Sequence, residues 1–155
     1  MATLTSTHKE HLDNILDGIK KIEWRKKPLP LGKHYGYETK NKGGCGKVTG
    51  EFEVVENVKV TLGRRGITYD YPKHFIGDFL DKGCVPFEFL VKYANGEEYL
   101  YANIIENPKR YDKPKELSEF KRWVDRSKGQ IYFEDKLVVE RPPQSYMKVE
   151  ELKED

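Results

Sequence analysis

The segment from Lys20 to Lys33 holds six basic residues, Lys20, Lys21, Arg25, Lys26, Lys27 and Lys33, against one acid, Glu23. Guanidinium groups grip phosphates as a bidentate fork, and ammonium groups supply point charges. A carboxylate beside a lysine can act as a base or accept hydrogen bonds from a nucleobase edge. The group Lys20, Glu23, Arg25 and Lys26 therefore has the chemistry of an anion and nucleobase site. Its bland alternative is a solvated charged face, the usual fate of a charge run. Aromatics interleaved with cations suit single-stranded nucleic acid, and Trp24, Tyr35 and Tyr37 lie in or just beyond the segment. Ser145 follows Pro142, Pro143 and Gln144. The prolines stiffen this loop, which either presents a hydroxyl and N–H groups to a ligand or is a rigid turn.

Other chemistry is poorly represented. Gly43-Gly44-Cys45-Gly46-Lys47 shares glycines and a lysine with phosphate-cradling loops. It lacks the GxxxxGK[ST] form and precedes a strand instead of a helix, so it reads as a turn with Lys47 lining a cleft. Cys45 and Cys84 are the only cysteines, and His8, His11, His34 and His74 are scattered. No CxxC or metal-ligand spacing results, so neither a metal nor a cofactor is expected. Cys45 has no nearby histidine to activate it.

The elements that must position these residues follow from pattern. Thr7-His8-Lys9-Glu10 has the form of a capping box, and Leu12, Ile15, Leu16 and Ile19 follow at helical spacing. Gly18 suits a left-handed helix end, so the pattern predicts a helix over 8–17, with His8 and His11 facing solvent. Ile22 and Trp24 alternate with charged neighbours, as in a half-buried strand, and point inward. Lys21, Glu23 and Arg25 then share the other face. Pro28 and Pro30 end that strand. A second short strand is predicted over 34–38, a turn over 41–46, and a long strand over 47–62 with a bulge near Val54-Val55. Short helices are predicted over 72–81, 87–93 and 113–123, a turn at Asn95-Gly96, and a strand over 99–105. Val138-Val139 and 146–149 read as terminal strand pieces. This is an α+β order, without the regular alternation of a parallel doubly wound sheet.

Length fits one domain with its own core. The expected organisation is a loose N-terminus over 1–6, a domain over 7–150, and an acidic tail over 151–155. Net charge is +2, from 28 basic and 26 acidic residues. That argues against a histone-like coat of charge and leaves room for a local patch. No apolar run is long enough to span a bilayer, so a cytoplasmic protein with reduced thiols and no membrane contact is expected. Nothing in the sequence demands an oligomer, and a monomer is expected.

Three segments together resemble the ASCH domain family, a branch of the PUA-like β-barrels. Residues 18–26, Gly-Ile-Lys-Lys-Ile-Glu-Trp-Arg-Lys, look like its G-x-K-x-(I/V)-E-x-R-(K/R) signature. Residues 46–52 are similar to its GKVxGxF strand, and 141–146 to its RxPQSW ending. The resemblance brackets roughly residues 10–150. It implies a small PUA-like β-barrel with flanking helices, a cleft on one face, and work on RNA or modified nucleosides, with hydrolysis in some members. One branch removes acyl groups from a modified cytidine using a lysine, a threonine and a glutamate. Lys20 matches that lysine, but Lys21 stands where the threonine would be.

Three readings follow. The first is a binding module for RNA, a nucleotide or a nucleoside, with Lys20, Glu23, Arg25, Lys26, Tyr37, Lys47, Gln144 and Ser145 around a basic cleft. The second is a metal-independent hydrolase, a ribonuclease or nucleoside amidohydrolase, using Lys20, Glu23, Tyr37, Lys47 and Ser145. The third is an interaction protein of a mobile element that contacts a partner through its acidic tail.

Overall fold

The computed structural model describes residues 1–63, 66–69 and 82–153. The helix expected over 72–81, and His74 with it, lies outside them. Seven strands form one mixed sheet: β1 (Ala2–Thr7), β2 (Ile22–Arg25), β3 (Gly32–Glu38), β4 (Lys47–Gly63), β5 (Gly66–Tyr69), β6 (Tyr99–Lys115) and β7 (Tyr146–Val149). Their order is β2-β6-β4-β3-β1-β7, with β5 paired to β4. Among the described residues only the β1–β3 pairing is parallel. The α-helices among the described residues include α1 (Lys9–Leu16), α2 (Phe87–Ala94) and α3 (Glu134–Leu137). The expected α+β class holds. Strand pairing among the described residues does not close the sheet into a barrel. β2 has four residues, and Pro28 and Pro30 lie just beyond it, so its backbone cannot continue the ladder.

Residues 1–6 are not a loose end. Ala2–Thr7 is a buried strand between β3 and β7, with Leu4 fully buried and Thr5 beside it. Its threonines are β-branched and small enough to sit inside the fold, and a polar-looking terminus conceals that. The helix expected over 113–123 is also absent. β6 runs on to Lys115, a short 3-10 turn follows at Leu117–Glu119, and Phe120 is buried beyond it. The bulge in β4 is present, as a register shift between Val54 and Glu56 against β6. Asn95 turns in the left-handed conformation at φ 49°. No helix among the described residues is long and apolar enough to cross a membrane.

The glycines of β3 and β4 decide where α1 lies. Gly36 and Gly50 are partners in register. A Cβ on Gly36 would lie 2.6 Å from Leu12 Cδ1, and one on Gly50 would lie 2.5 Å from the Lys109 carbonyl and 2.6 Å from Leu16. Leu12 and Leu16, one helical turn apart, thus rest directly on a bare stretch of sheet. Ile15, Leu29, Phe52, Val54 and Ile105 complete this core. Gly50→Ala should destabilise the protein by about 1–3 kcal/mol, because the backbone carbonyl of Lys109 cannot rotate away. Urea denaturation would measure it, and a wild-type midpoint would show that α1 can lift without cost.

Candidate functional site

β2 behaves as its alternation predicts on one face. Ile22 and Trp24 pack with Val58, Val60, Leu90 and Leu100. The opposite face carries Glu23 and Arg25, and the structure changes its meaning. It is covered, so Glu23 is 6% exposed and Lys20 only 2%. Lys20 Nζ lies 4.0 Å from Glu23 Oε2, and Arg25 Nε lies 3.5 Å from Glu23 Oε1. Among the described residues Glu23 Oε2 has no hydrogen-bond partner, although it is buried. Such an acceptor is costly to leave unmade.

Arg25 bridges the two ends of the sheet path. Its Nη2 donates to the Ser6 carbonyl at 3.0 Å and to Thr7 Oγ1 at 3.4 Å, and its Nη1 donates to Ser145 Oγ at 3.4 Å. Ser6 pins the Ser145 loop: its N–H donates to the Ser145 carbonyl at 2.9 Å, and its hydroxyl to the Pro143 carbonyl at 2.6 Å. One guanidinium therefore spans the gap between β2 and the β1–β7 edge. Thr7 was expected to cap α1. In the structure His8 is the N-cap, its ring making no capping bond but meeting the Thr39 hydroxyl at 3.1 Å, and the Thr7 hydroxyl turns to Arg25.

The pattern also misplaces His11, which does not simply face solvent. Its Nδ1 accepts from Lys20 Nζ at 3.2 Å. Burial, then the Lys20 charge, pushes its pKa below the ordinary imidazole value. The neutral ring carries its proton on Nε2. A signal was present, since His11 sits one turn before buried Ile15 and borders the apolar stripe. Next to it stands an aromatic wall on α2. Phe89 and Tyr93 are stacked 6.4 Å apart, and the His11 and Phe89 rings are 6.5 Å apart. Phe89 is 45% exposed, and Lys26 Nζ lies 5.5 Å from the Tyr93 ring centre. The helical pattern of 87–93 does not distinguish these two rings from core aromatics.

The structure thus brings Lys20, Glu23, Arg25 and Ser145 together, with Lys26 at the aromatic wall. Gln144 is exposed beside Ser145. Tyr37 and Lys47 are not joined to the cluster by any contact among the described residues. Tyr37 is 4% exposed and packs with Leu4, Tyr35 and Val48, so its ring is core material and not a free stacking surface. Lys47 pairs with Glu116 at 3.0 Å on the surface. Cys45 is exposed overall, but partial desolvation of its thiol, with Glu38 beside it, raises its pKa and keeps it protonated.

Two inner polar groups support the site. Asn103 is Glu23's partner in register and donates to the Glu23 carbonyl at 2.9 Å. Its Oδ1 accepts from the Leu29 N–H at 3.0 Å and from Asn57 Nδ2 at 2.6 Å, anchoring the chain that leaves β2. His34, fully buried, donates from Nε2 to the Pro30 carbonyl at 2.7 Å and accepts at Nδ1 from the Thr5 hydroxyl at 2.6 Å. A carbonyl can only accept, so this tautomer is fixed. Burial, with Arg25 adding to it, pushes the His34 pKa down to about 4. The stretch that carries Lys20 also walls an open cavity of about 490 Å³ with Gly18, Lys21, Lys82 and Asn107.

This open mixed sheet crossed by α1 has the fold of solved ASCH structures. The crystal structure of ASCH from Zymomonas mobilis matches 95% of this chain and 86% of its own, at 18% identity and a TM-score of 0.64. Its serine-to-alanine and tyrosine-to-phenylalanine variants match over the same share of this chain, at 16% and 17% identity, with 87% and 88% of their chains covered and TM-scores of 0.59 and 0.60. No protein-family profile matches the sequence, and no curated protein sequence does.

Proposed function

We propose that this chain is an ASCH-type RNA- or nucleotide-binding domain whose ligand sits at Lys20, Glu23, Arg25 and Ser145. The observation that carries this reading is the buried, unbonded Oε2 of Glu23 beside a guanidinium that spans the gap to Ser145. A base edge would satisfy the carboxylate, and a phosphate would take the Arg25 fork. The Phe89–Tyr93 wall provides the stacking surface. Lys26 at the Tyr93 ring and Gln144 beside Ser145 extend the site. The fold shared with ASCH structures supports the reading, as do the three sequence segments that resemble that family.

Arg25→Ala should weaken binding of short single-stranded RNA roughly 10–100-fold and flatten its salt dependence, since one charge-assisted contact is lost. Fluorescence anisotropy across a salt series measures both. Wild-type affinity and slope in this variant would remove the cleft from consideration.

A hydrolase is the second reading, favoured by the convergence of His11, Lys20 and Glu23. Lys20 would stabilise a developing anion, and neutral His11 or Glu23 would move the proton. Short RNAs and acylated nucleosides incubated with the protein at several pH values would show turnover, and Lys20→Met should abolish it.

A further inference from the structure

A second groove, rich in cations, includes Arg141, four residues before Ser145. Its volume is about 440 Å³, and Arg122, Lys136, Glu140, Arg141 and Met147 line it. It forms where isolated bridges from Lys121 to Val138 and from Arg122 to Val149 lay extra chain against β7. Neighbouring Lys121 and Arg126 are held by Glu134 at 3.3 and 2.7 Å. Among the described residues Arg122, Lys136 and Arg141 are in no ion pair. Arg122 Nη2 donates only to the Lys136 carbonyl, at 3.2 Å, which fixes its direction without neutralising it. Three cations against the single carboxylate of Glu140 leave the groove net positive, and an excess of cations along a groove is the electrostatic footprint of a phosphate backbone.

One short loop joins the groove to the Arg25–Ser145 contact. Arg141 lines the groove and Ser145 receives Arg25, with Pro142, Pro143 and Gln144 between them. Four steps of extended chain span at most about 14 Å. Ser6 pins this connection at both the Pro143 and Ser145 carbonyls. A single strand held in the cleft by one nucleotide would therefore meet the groove within a few phosphates.

We infer that the groove of Arg122, Lys136 and Arg141 is a backbone subsite, so that the ligand is a single-stranded RNA threading cleft and groove and not a free nucleoside. This rests on the cleft reading given above. Its test compares RNA dinucleotides and octanucleotides of randomised sequence in competition anisotropy, with wild type, the double variant Arg122→Ala/Arg141→Ala, and Arg25→Ala. Wild type should bind octanucleotides at least ~10-fold tighter than dinucleotides, and the double variant should lose that advantage and lower the salt slope by about one to two. Dinucleotide affinity should stay at the wild-type value in the double variant. Arg141 makes no hydrogen bond or ion pair among the described residues, so Arg141→Ala alone carries the test if the double variant unfolds. Equal wild-type affinity for both lengths, or full octanucleotide affinity in the groove variants, overturns the inference while an effect of Arg25→Ala keeps the cleft. Loss in the groove variants with none in Arg25→Ala removes the cleft reading, and with it the link between the two sites.

Discussion

Glu23→Ala should destabilise the protein by about 3–5 kcal/mol, the cost of leaving a buried charge unpaired. Lys20 is 2% exposed, and its neighbours would then be neutral His11 and the Arg25 guanidinium. Two cations would face each other without the carboxylate that separates their charges. Lys20→Met added to Glu23→Ala should restore most of the loss, because replacing both partners of a buried pair by apolar groups is often near neutral. RNA binding should not return with it. Denaturant unfolding of both variants measures the stability, and anisotropy the binding. A single variant within about 1 kcal/mol of wild type would show that the pair is solvated after all. Recovered stability without recovered binding is the outcome expected of a site kept for its ligand.

Acid should weaken the fold through His34. Its folded pKa is about 4 and its unfolded value near 6.5, so the unfolded chain binds the proton first. The stability contributed by the neutral ring is complete above about pH 6.5. It falls as pH drops towards 4, by about 3 kcal/mol in all. The physical cause is the buried position of the ring, stacked on Phe52 with its Nδ1 committed as an acceptor to Thr5. Urea midpoints of wild type and His34→Gln at neutral pH and near pH 4.5 isolate this residue from the carboxylates. If both proteins lose the same stability between the two pH values, His34 is not the group that titrates.

Much of this architecture is legible in residue order. The α1 stripe of Leu12, Ile15 and Leu16, the left-handed end at Gly18, the alternation of Ile22 and Trp24, the β4 bulge and the Asn95 turn are all local. Each depends on the side-chain period or on one backbone conformation. Errors arose where tertiary partners overrode local pattern. Thr7 has the right chemistry for a helix cap, but Arg25 reaches its hydroxyl from across the fold. The helical pattern of Leu117 and Phe120 also fits a chain wrapping over the sheet, and packing chose the latter.

For the basic segment, the sequence by itself determined that Glu23 and Arg25 share a face, because strand side chains alternate strictly. It also supplied Ser145 at the end of a stiff loop. What it did not determine is that this face is buried. That follows from the glycine pair under α1, which lets the helix settle against the sheet, and from the meeting of β2 with the far edge through Arg25. Nor did it bring in His11, Phe89 and Tyr93, or exclude Tyr37 and Lys47. Those depend on contacts between residues distant in the chain. A run of charges that would be a solvated rim on an exposed strand becomes here a largely buried, partly unsatisfied cluster, because Arg25 ties β2 to the far edge of the sheet across it.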